Sequence, residues 1–291
     1  MVLDWINRLN EVIEYIEENL NNEISYQIIS KIAGCSVYNF QRMFSYIADK
    51  PLSEYIRNRR LTMAAFDLLN SGEKIIDISL KYGYESQDSF TRAFKKFHGV
   101  LPSSVRNKTV QLKSCPKLSF QIKIKGENHM NYKIEKRPEF TVMGVSHKIK
   151  TSEAFEKIPK IWEESWVNGT MKMFFENFHG YRPEGVLGIA QGGKWGESDE
   201  MDYIIAVTNH VNEQEYKHFS VIEGMKEFSY PAATWVIFEA NGELPEAIQK
   251  IYKQFYSEWL PSSGYDLDDL PVIECYLQEN KQEIWIAIIK K

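Results

Sequence analysis

The sequence predicts two domains of different classes. The first is an all-helical domain with two helix-turn-helix units joined by a long helix. The second is an α+β domain with a duplicated β-α-β-β order, an antiparallel sheet and two helices. Two observations predict this: a five-residue motif recurs fifty residues later in the first third of the chain, and the order of strands and helices in the second half repeats. A length of 291 residues is enough for two domains.

The first half has the apolar spacing of helices. Apolar residues recur at steps of three and four from Ile6 to Leu20 and again from Tyr55 to Leu69. Gly34, Gly72 and Gly99 follow such runs, at positions where glycine commonly ends a helix. These signals predict consecutive helices of ordinary length with short connections.

The internal repeat lies within this helical half. Phe-Gln-Arg-Met-Phe at 40–44 returns as Phe-Thr-Arg-Ala-Phe at 90–94. A short apolar helix and a glycine precede each copy, and a proline segment ending in arginine follows it. A helix, a short turn with glycine and a second helix form a helix-turn-helix unit. The chain therefore carries two predicted units, with reading helices that begin after Ser36 and near Ser86.

The reading helices carry side chains suited to base edges. A reading helix lies in the major groove, where arginine pairs with guanine and glutamine or asparagine with adenine. The predicted base-reading residues are Tyr38, Asn39, Gln41, Arg42, Gln87, Asp88, Ser89, Thr91 and Arg92. The predicted phosphate contacts, which position a protein on DNA without specifying sequence, are Ser36, Arg57, Arg59, Arg60, Lys95 and Lys96.

The charge differs between the two halves. Residues 1–128 contain 18 Lys and Arg against 14 Asp and Glu, whereas residues 129–291 contain 17 against 26. A mildly basic front half suits a polyanion binder, and the acidic back half must serve another purpose.

The second half repeats a β-α-β-β order. The predicted first copy is a strand at 132–147, a helix at 153–178 and strands at 186–190 and 203–207. The second copy is a strand at 235–238, a helix at 246–259 and strands at 272–277 and 284–289. Two such halves form an antiparallel sheet with a cleft between them, where pockets are common. Residues 118–124 alternate in polarity and are predicted as a short strand. The predicted domain limits are 1–108 and 131–291, with a linker at 109–130.

Several classes of function are not expected. The N-terminus lacks a signal-peptide pattern and no run is long enough to span a membrane, so the prediction is a cytoplasmic protein. Cys35, Cys115 and Cys275 are far apart and are predicted to be reduced structural thiols. The six histidines have no ligand spacing, so neither a metal nor another cofactor is predicted.

Residues 5–107 resemble the DNA-binding domain of the AraC/XylS family of transcription regulators. The resemblance rests on the stretch from Ile78 to Phe97, followed by Gly99, Pro102 and Arg106. The family usually has alanine near Leu80 and phenylalanine in place of Tyr84. The resemblance implies binding to double-stranded DNA at promoters as a monomer or dimer, and activation through contact with RNA polymerase. The N-terminal position of the domain resembles the Rob-like minority of the family.

The second half resembles the GyrI-like effector-binding domain. The resemblance rests on the doubled β-α-β-β plan and on a Pro-x-x-Glu-x-Tyr pattern formed by Pro271, Glu274 and Tyr276. A carboxylate in an aromatic cleft attracts a lipophilic cation, and aromatic faces add about 0.5–2 kcal/mol of cation–π attraction. The predicted ligand-binding residues are Glu274, Tyr276, Trp162, Trp166 and Trp195.

The leading hypothesis is that the protein is a transcription regulator that acts as an activator. Its activity is modulated by a small lipophilic ligand, and the carboxylate of Glu274 favours a ligand that is a cation. No catalytic residues are predicted, because the sequence shows no nucleophile with a histidine base, no metal set and no phosphate loop. Two alternatives stay open for the C-terminal domain. In the first alternative this domain binds a protein partner. In the second it is a hydrolase of a small electrophile, with Glu274 as the base and Tyr276 nearby.

Overall fold

The computed structural model describes residues 2–106, 110–121, 130–150, 153–177, 181–192, 200–209, 224–277 and 281–291. The contacts divide the chain into two compact units. The helical unit comprises Met1–Gly34 and Ala48–Ile122, and the sheet unit comprises Cys35–Ile47 and Lys123–Lys291. The first reading helix is thus grouped with the sheet, which the predicted domain limits did not anticipate. Those limits stay a prediction.

Seven helices lie in the described part of the first 106 residues. They are α1 (Val2–Glu18), α2 (Tyr26–Ala33), α3 (Val37–Ala48), α4 (Leu52–Asn70), α5 (Ile75–Lys81), α6 (Gln87–His98) and α7 (Pro102–Val105). The predicted glycine stops are confirmed at Gly34 and Gly99, which have φ of 67° and 83° and cap α2 and α6. The stop predicted at Gly72 is wrong, because α4 ends at Asn70 with Ser71 as its cap. Two serines cap the reading helices, since Ser36 accepts from the Asn39 amide and Ser86 from the Ser89 amide.

The core of the helical unit forms around the long helix α4. Leu61, Ala64 and Leu68 on α4 pack in one cluster with Phe90 and Phe94 of α6. The two phenylalanines are those of the second copy of the repeat, and both are fully buried. The repeated spacing of the motif therefore serves packing on one face of α6, which leaves the opposite face to solvent.

A buried ion pair links α1 to α4. Arg59 Nε donates to Glu17 Oε1 over 2.9 Å, and Arg59 Nη1 donates to the Cys115 carbonyl over 2.6 Å. Tyr55 also donates to Glu17, over 2.8 Å. The side chains of Arg59 and Glu17 are only 10% and 12% exposed. The predicted phosphate contact of Arg59 therefore needs correction: its guanidinium is buried and engaged by the fold, so it is not available to DNA here.

We expect His98 to make the helical unit less stable in acid. Its ring is buried, and Nε2 donates to the Leu61 carbonyl over 3.1 Å. Burial, helped by Lys113, lowers the pKa of His98 below its usual value. A group with a folded pKa below its unfolded value of about 6.5 favours the unfolded chain when protonated. Its stabilisation is therefore present above pH about 6.5 and is lost as the pH falls towards the lower folded pKa.

Urea unfolding followed by far-ultraviolet circular dichroism at pH about 7.5 and about 5.5 measures this effect. His98→Gln is the control, because its amide can still donate to Leu61 but does not titrate. The wild type should lose more stability than the variant between the two pH values. Equal losses would show that another group is responsible.

In the residues that the structure describes, the sheet unit contains one antiparallel sheet of nine strands. They are β1 (Tyr132–Arg137), β2 (Phe140–Lys150), β3 (Val186–Gly192), β4 (Glu200–Asn209), β5 (Met225–Tyr230), β6 (Ala233–Asn241), β7 (Tyr265–Leu267), β8 (Val272–Tyr276) and β9 (Lys281–Lys290). The order is β1-β6-β9-β8-β3-β4-β2-β5, with β7 paired to β9. The copies β2-β4-β3 and β6-β9-β8 have the same internal order and meet at the β3/β8 pair. The predicted duplication is confirmed.

Helices α8 (Ala154–Val167) and α9 (Thr170–Asn177) follow β2. In the second copy α10 (Glu246–Gln254) continues through a π-helical turn (Phe255–Trp259) into α11 (Leu260–Ser262). Val186 and Ala190 of β3 pack in the cluster that contains residues of α8 and α9. Leu187 and Ile189 of the same strand pack in a second cluster on the opposite face, so the strand alternates between two buried faces.

Several predicted elements differ from the structure. The predicted strand 132–147 is two strands, because Pro138 has no amide hydrogen for the ladder. The predicted helix 153–178 is interrupted at Gly169, which has φ of 84°. Strands β5 and β7 were not predicted. Residues 118–121 are not a strand; instead the Phe120 backbone bonds with the Asn10 side chain in both directions. Residues 122–124 of that prediction lie outside the described part of the chain.

Cys35, Cys115 and Cys275 are buried thiols that are not joined in disulfides, as predicted. Of the helices in the described residues, none is long and apolar enough to span a membrane.

Candidate functional site

Glu274 lies at the centre of the sheet, where the two copies meet. It stands on β8 opposite Gly188 of β3. Its two carboxylate oxygens accept hydrogen bonds from the hydroxyls of Tyr252 over 2.8 Å and Tyr276 over 2.7 Å. Tyr276 is two residues further along β8 and therefore on the same strand face, and Tyr252 comes from α10. The Glu274 side chain is 12% exposed. The centre of the sheet therefore presents a buried, oriented carboxylate.

Aromatic side chains surround this carboxylate. Trp162 of α8 packs edge-on against Tyr276, with ring centroids 4.6 Å apart, and its indole donates to the Tyr203 hydroxyl over 2.7 Å. A Cβ at Gly188 would lie 2.5 Å from the Tyr203 hydroxyl and 3.3 Å from the rings of Trp162 and Tyr276. The absence of a side chain at Gly188 is what leaves room for these groups beside Glu274.

A guanidinium group completes the cluster. Arg42 of α3, in the same compact unit, forms an ion pair with Glu274 and donates from Nη1 to the Tyr38 hydroxyl over 3.0 Å. Its guanidinium carbon lies 4.1 Å from the centre of the Tyr252 ring. Tyr46 stacks on Tyr252 with centroids 4.7 Å apart. The site thus holds a planar cation between a carboxylate and tyrosine rings.

Burial determines the protonation of this cluster. It raises the pKa of Tyr252 far above its usual value in spite of the Arg42 charge, and burial together with Glu274 does the same for Tyr276. Burial raises the pKa of Tyr38 to about 12. Burial alone would lower the pKa of Arg42, but Tyr252, Tyr38 and Glu274 hold it well above its usual value. At neutral pH the phenols therefore keep their protons and donate, and the guanidinium stays charged.

The predicted base-reading residues of the first reading helix are mostly buried. Tyr38, Asn39 and Arg42 are at most 9% exposed, and Ser36, a predicted phosphate contact, is 8% exposed. Gln41 is half-buried. In this conformation Tyr38, Asn39 and Arg42 are not accessible to a base edge. Their role in reading DNA stays a prediction for a state in which α3 has left the sheet.

The second reading helix, α6, has an open polar face. Gln87, Asp88 and Arg92 are exposed, and Ser89 and Thr91 are half-buried. Lys95 and Lys96, predicted for phosphates, are exposed on the last turns of the same helix. This arrangement is compatible with major-groove entry.

The remaining predicted phosphate contacts on α4 differ in accessibility. Arg57 is exposed, whereas Arg60 is half-buried. The Arg60 side chain donates to the carbonyls of Leu20 and Asn22 over 2.9 and 2.8 Å. Arg57 is therefore open to a phosphate, while Arg60 is already engaged within the helical unit.

The structure brings together three of the five predicted ligand-binding residues. Glu274, Tyr276 and Trp162 form the cluster described above. Trp166 stacks instead on Phe175, with centroids 5.8 Å apart, and is 58% exposed. The predicted wall of two tryptophans is therefore corrected to Trp162 alone. Trp195 lies outside the described residues.

Sequence reasoning missed Tyr46, Tyr203, Tyr252 and Gly188. One signal was available: Tyr38, Arg42 and Tyr46 are four residues apart, which places an aromatic-cation-aromatic stripe on one face of α3. Tyr252 and Tyr203 had no comparable signal, because only tertiary structure brings α10 and β4 to Glu274.

Comparisons with known proteins match both parts of the chain. Residues 130–289 match the GyrI-like small molecule binding domain, and residues 29–108 match a helix-turn-helix domain. The transcriptional activator AarP of Providencia stuartii is 41% identical over 98 residues, covering 34% of this chain and 73% of AarP. The multiple antibiotic resistance protein MarA of Escherichia coli K12 is 35% identical over 103 residues, covering 35% of this chain and 81% of MarA.

Two solved structures are similar to separate parts of the chain. SAV2435 bound to tetraphenylphosphonium matches with a TM-score of 0.46 and 19% identity, covering 55% of this chain and 94% of that one. An AraC-type regulator from Chromobacterium violaceum matches with a TM-score of 0.34 and 24% identity, covering 35% of this chain and 91% of that one.

Proposed function

Because the chain belongs to the GyrI-like family, with an AraC-type helix-turn-helix domain ahead of that domain, we propose that it is a transcription regulator whose DNA binding responds to a small lipophilic cation held at Glu274. The proposed ligand class is supported by one observation: the sheet already binds a cation at Glu274, which is the guanidinium of Arg42. AarP is named as a transcriptional activator, and we propose that this chain also activates transcription, through contact with RNA polymerase.

The chemistry of the site favours a cation over a neutral or anionic compound. A carboxylate that is largely removed from water requires a positive partner or several donors, since an unpaired buried charge is costly. The faces of Tyr252 and its neighbours carry negative quadrupole charge, which attracts a cation at about 4 Å. The same rings accept an apolar body. A lipophilic cation satisfies both requirements.

Isothermal titration calorimetry of the full chain with tetraphenylphosphonium tests the proposal. Tetraphenylborate, which has the same shape and the opposite charge, serves as the control compound. We expect the cation to bind and the anion not to bind, and Glu274→Gln to weaken cation binding by about tenfold or more. Glu283→Gln is the matched control variant, since Glu283 is a buried carboxylate on the neighbouring strand that pairs with Arg182.

Binding of the cation with unchanged affinity in Glu274→Gln would remove Glu274 from the site. Equal binding of cation and anion would show that shape and not charge is recognised. Either result would contradict the proposed ligand class.

A further inference from the structure

We propose that Arg42 is the chain's own occupant of the cation site, and that a cationic ligand acts by displacing it and freeing the first reading helix for DNA. This inference rests on the proposed function and adds how binding of the cation would control binding of DNA. It starts from a coincidence of two independently predicted roles: the arginine expected to read a base and the glutamate expected to hold the ligand form an ion pair with each other.

Arg42 satisfies the site as a ligand would. Its guanidinium is a planar, delocalised cation that lies over the Tyr252 ring, pairs with Glu274 and is 9% exposed. These are the carboxylate and aromatic contacts that a lipophilic cation would need. Arg42 and an external cation therefore compete for one position.

The docking involves a whole face of α3 and not one side chain. Tyr38 packs into the core cluster of the sheet unit, and its Cβ lies 3.2 Å from the position of a Cβ at Gly192. Tyr46, two turns further along α3, stacks on Tyr252. These residues share the helix face that carries Arg42. The face that would enter the major groove is thus occupied, and DNA and the sheet cannot bind it together.

The docked helix also pays a polar cost. Asn39 is 6% exposed, and its side-chain oxygen has no hydrogen-bond partner among the described residues. A buried amide without a partner disfavours the state that buries it. Asn39 is a predicted base-reading residue, so the group left unsatisfied when α3 is docked is one that a base edge could satisfy.

Exclusive occupancy has a thermodynamic consequence. A ligand that binds only when Arg42 has left, and DNA that binds α3 only when it is undocked, both favour the same state and must increase each other's affinity. The second reading helix is exposed in the docked state. Basal DNA binding would then come from α6, and the cation would add the contribution of α3.

Hydrogen exchange of the full chain, followed by mass spectrometry, tests the latch. Peptides from 37–48 report on α3, and peptides from 186–192 report whether the sheet is intact. Glu274→Gln leaves Arg42 without its counter-charge, so α3 amides should exchange faster by on the order of a hundredfold while the sheet stays protected. Arg42→Gln removes the cation itself and should release α3 in the same way. It serves as the test variant if Glu274→Gln does not fold. Glu283→Gln should leave α3 exchange unchanged.

A second arm adds tetraphenylphosphonium to the wild type at a concentration that calorimetry shows to be saturating. Faster exchange of α3 supports displacement of Arg42. A DNA sequence is first selected from a random pool for binding to the Glu274→Gln variant. The ligand should then increase the affinity of the wild-type protein for this DNA by about tenfold or more. Saturation with the ligand and no change in α3 exchange or DNA affinity would overturn the inference, although the cation site would stand.

The two hypotheses fail differently. If α3 stays protected in folded Glu274→Gln and Arg42→Gln, the latch is wrong whatever the cation does. If α3 is released in these variants but no cation binds to the wild type, the latch stands and the proposed cation sensing is wrong.

Discussion

Replacing Glu17 by glutamine is expected to lower the free energy of unfolding of the helical unit by about 3–5 kcal/mol. Glu17 is the counter-charge of Arg59, which is buried between α1 and α4 and also donates to the Cys115 carbonyl. Arg59 donates to the Glu17 carboxylate, and this hydrogen bond raises the pKa of Arg59 above its usual value. A guanidinium stays protonated in proteins even without such a partner, so Arg59 keeps its charge when Glu17 is replaced. The variant must bury an uncompensated cation or open the contact between the helices.

Glu14→Gln is a matched control on the same helix. Glu14 pairs with Lys117, but these side chains are 57% and 43% exposed, and such pairs contribute only about 0–1 kcal/mol. Urea unfolding by far-ultraviolet circular dichroism compares the two variants. Six of the seven tryptophans lie in residues 129–291, so fluorescence separately follows the sheet unit. Similar small losses in both variants would show that Arg59 is hydrated in solution.

Replacing Arg92 by alanine is expected to weaken specific DNA binding by about 1–3 kcal/mol, which is roughly 5- to 150-fold in affinity. Arg92 is the counterpart of Arg42 in the motif repeat. It is exposed on α6, whereas Phe90 and Phe94 hold the opposite face in the core. An arginine in this position can pair with two acceptors of guanine. The loss should therefore be largest for the preferred sequence and small for competitor DNA.

Titrations at several salt concentrations separate this role from a phosphate contact. Lys95→Ala, on the same helix, should weaken binding to all sequences and reduce the slope of log affinity against log salt by about 1. Arg92→Ala should leave that slope nearly unchanged while reducing the specificity ratio. If Arg92→Ala behaves like Lys95→Ala, Arg92 contacts the backbone and base reading must be assigned to other residues.

Local signals in the sequence were sufficient for most of the fold. The glycine stops at Gly34 and Gly99 each act within one turn, and the structure has both. The duplicated order of the second half was also visible. The short strands β5 and β7 were missed because edge strands have weak patterns of their own. Strand β5 pairs with β2, which is distant in sequence, and β7 pairs with β9, which was already assigned to the second β-α-β-β copy.

The candidate site was only partly predictable, for a physical reason. Glu274 and Tyr276 lie two residues apart and share a strand face, so alternation alone placed them together. Tyr252 and Tyr203 reach Glu274 from other elements, and no local spacing encodes that distance. Arg42 was the opposite case: its position in a reading helix predicted exposure, but the tyrosines on either side of it make that helix face suitable for an aromatic pocket. Neither the repeated motif of the reading helices nor the Pro-x-x-Glu-x-Tyr pattern alone indicates that DNA and the aromatic pocket would compete for this helix face.

The pairing of Gly188 with Glu274 divides responsibility for the site between the two copies of the duplicated fold. One copy supplies the charge, and the other supplies a position without a side chain, which leaves room for the rings of Tyr203, Trp162 and Tyr276. These properties can therefore change one at a time. A larger residue in place of Gly188 would displace these rings and reshape the aromatic wall of the proposed cation site, while Glu274 would keep its charge. On the proposed function, substitutions on β3 would change which compounds fit the site and would leave its electrostatic preference the same. In that sense the duplication separates the shape of the site from its charge.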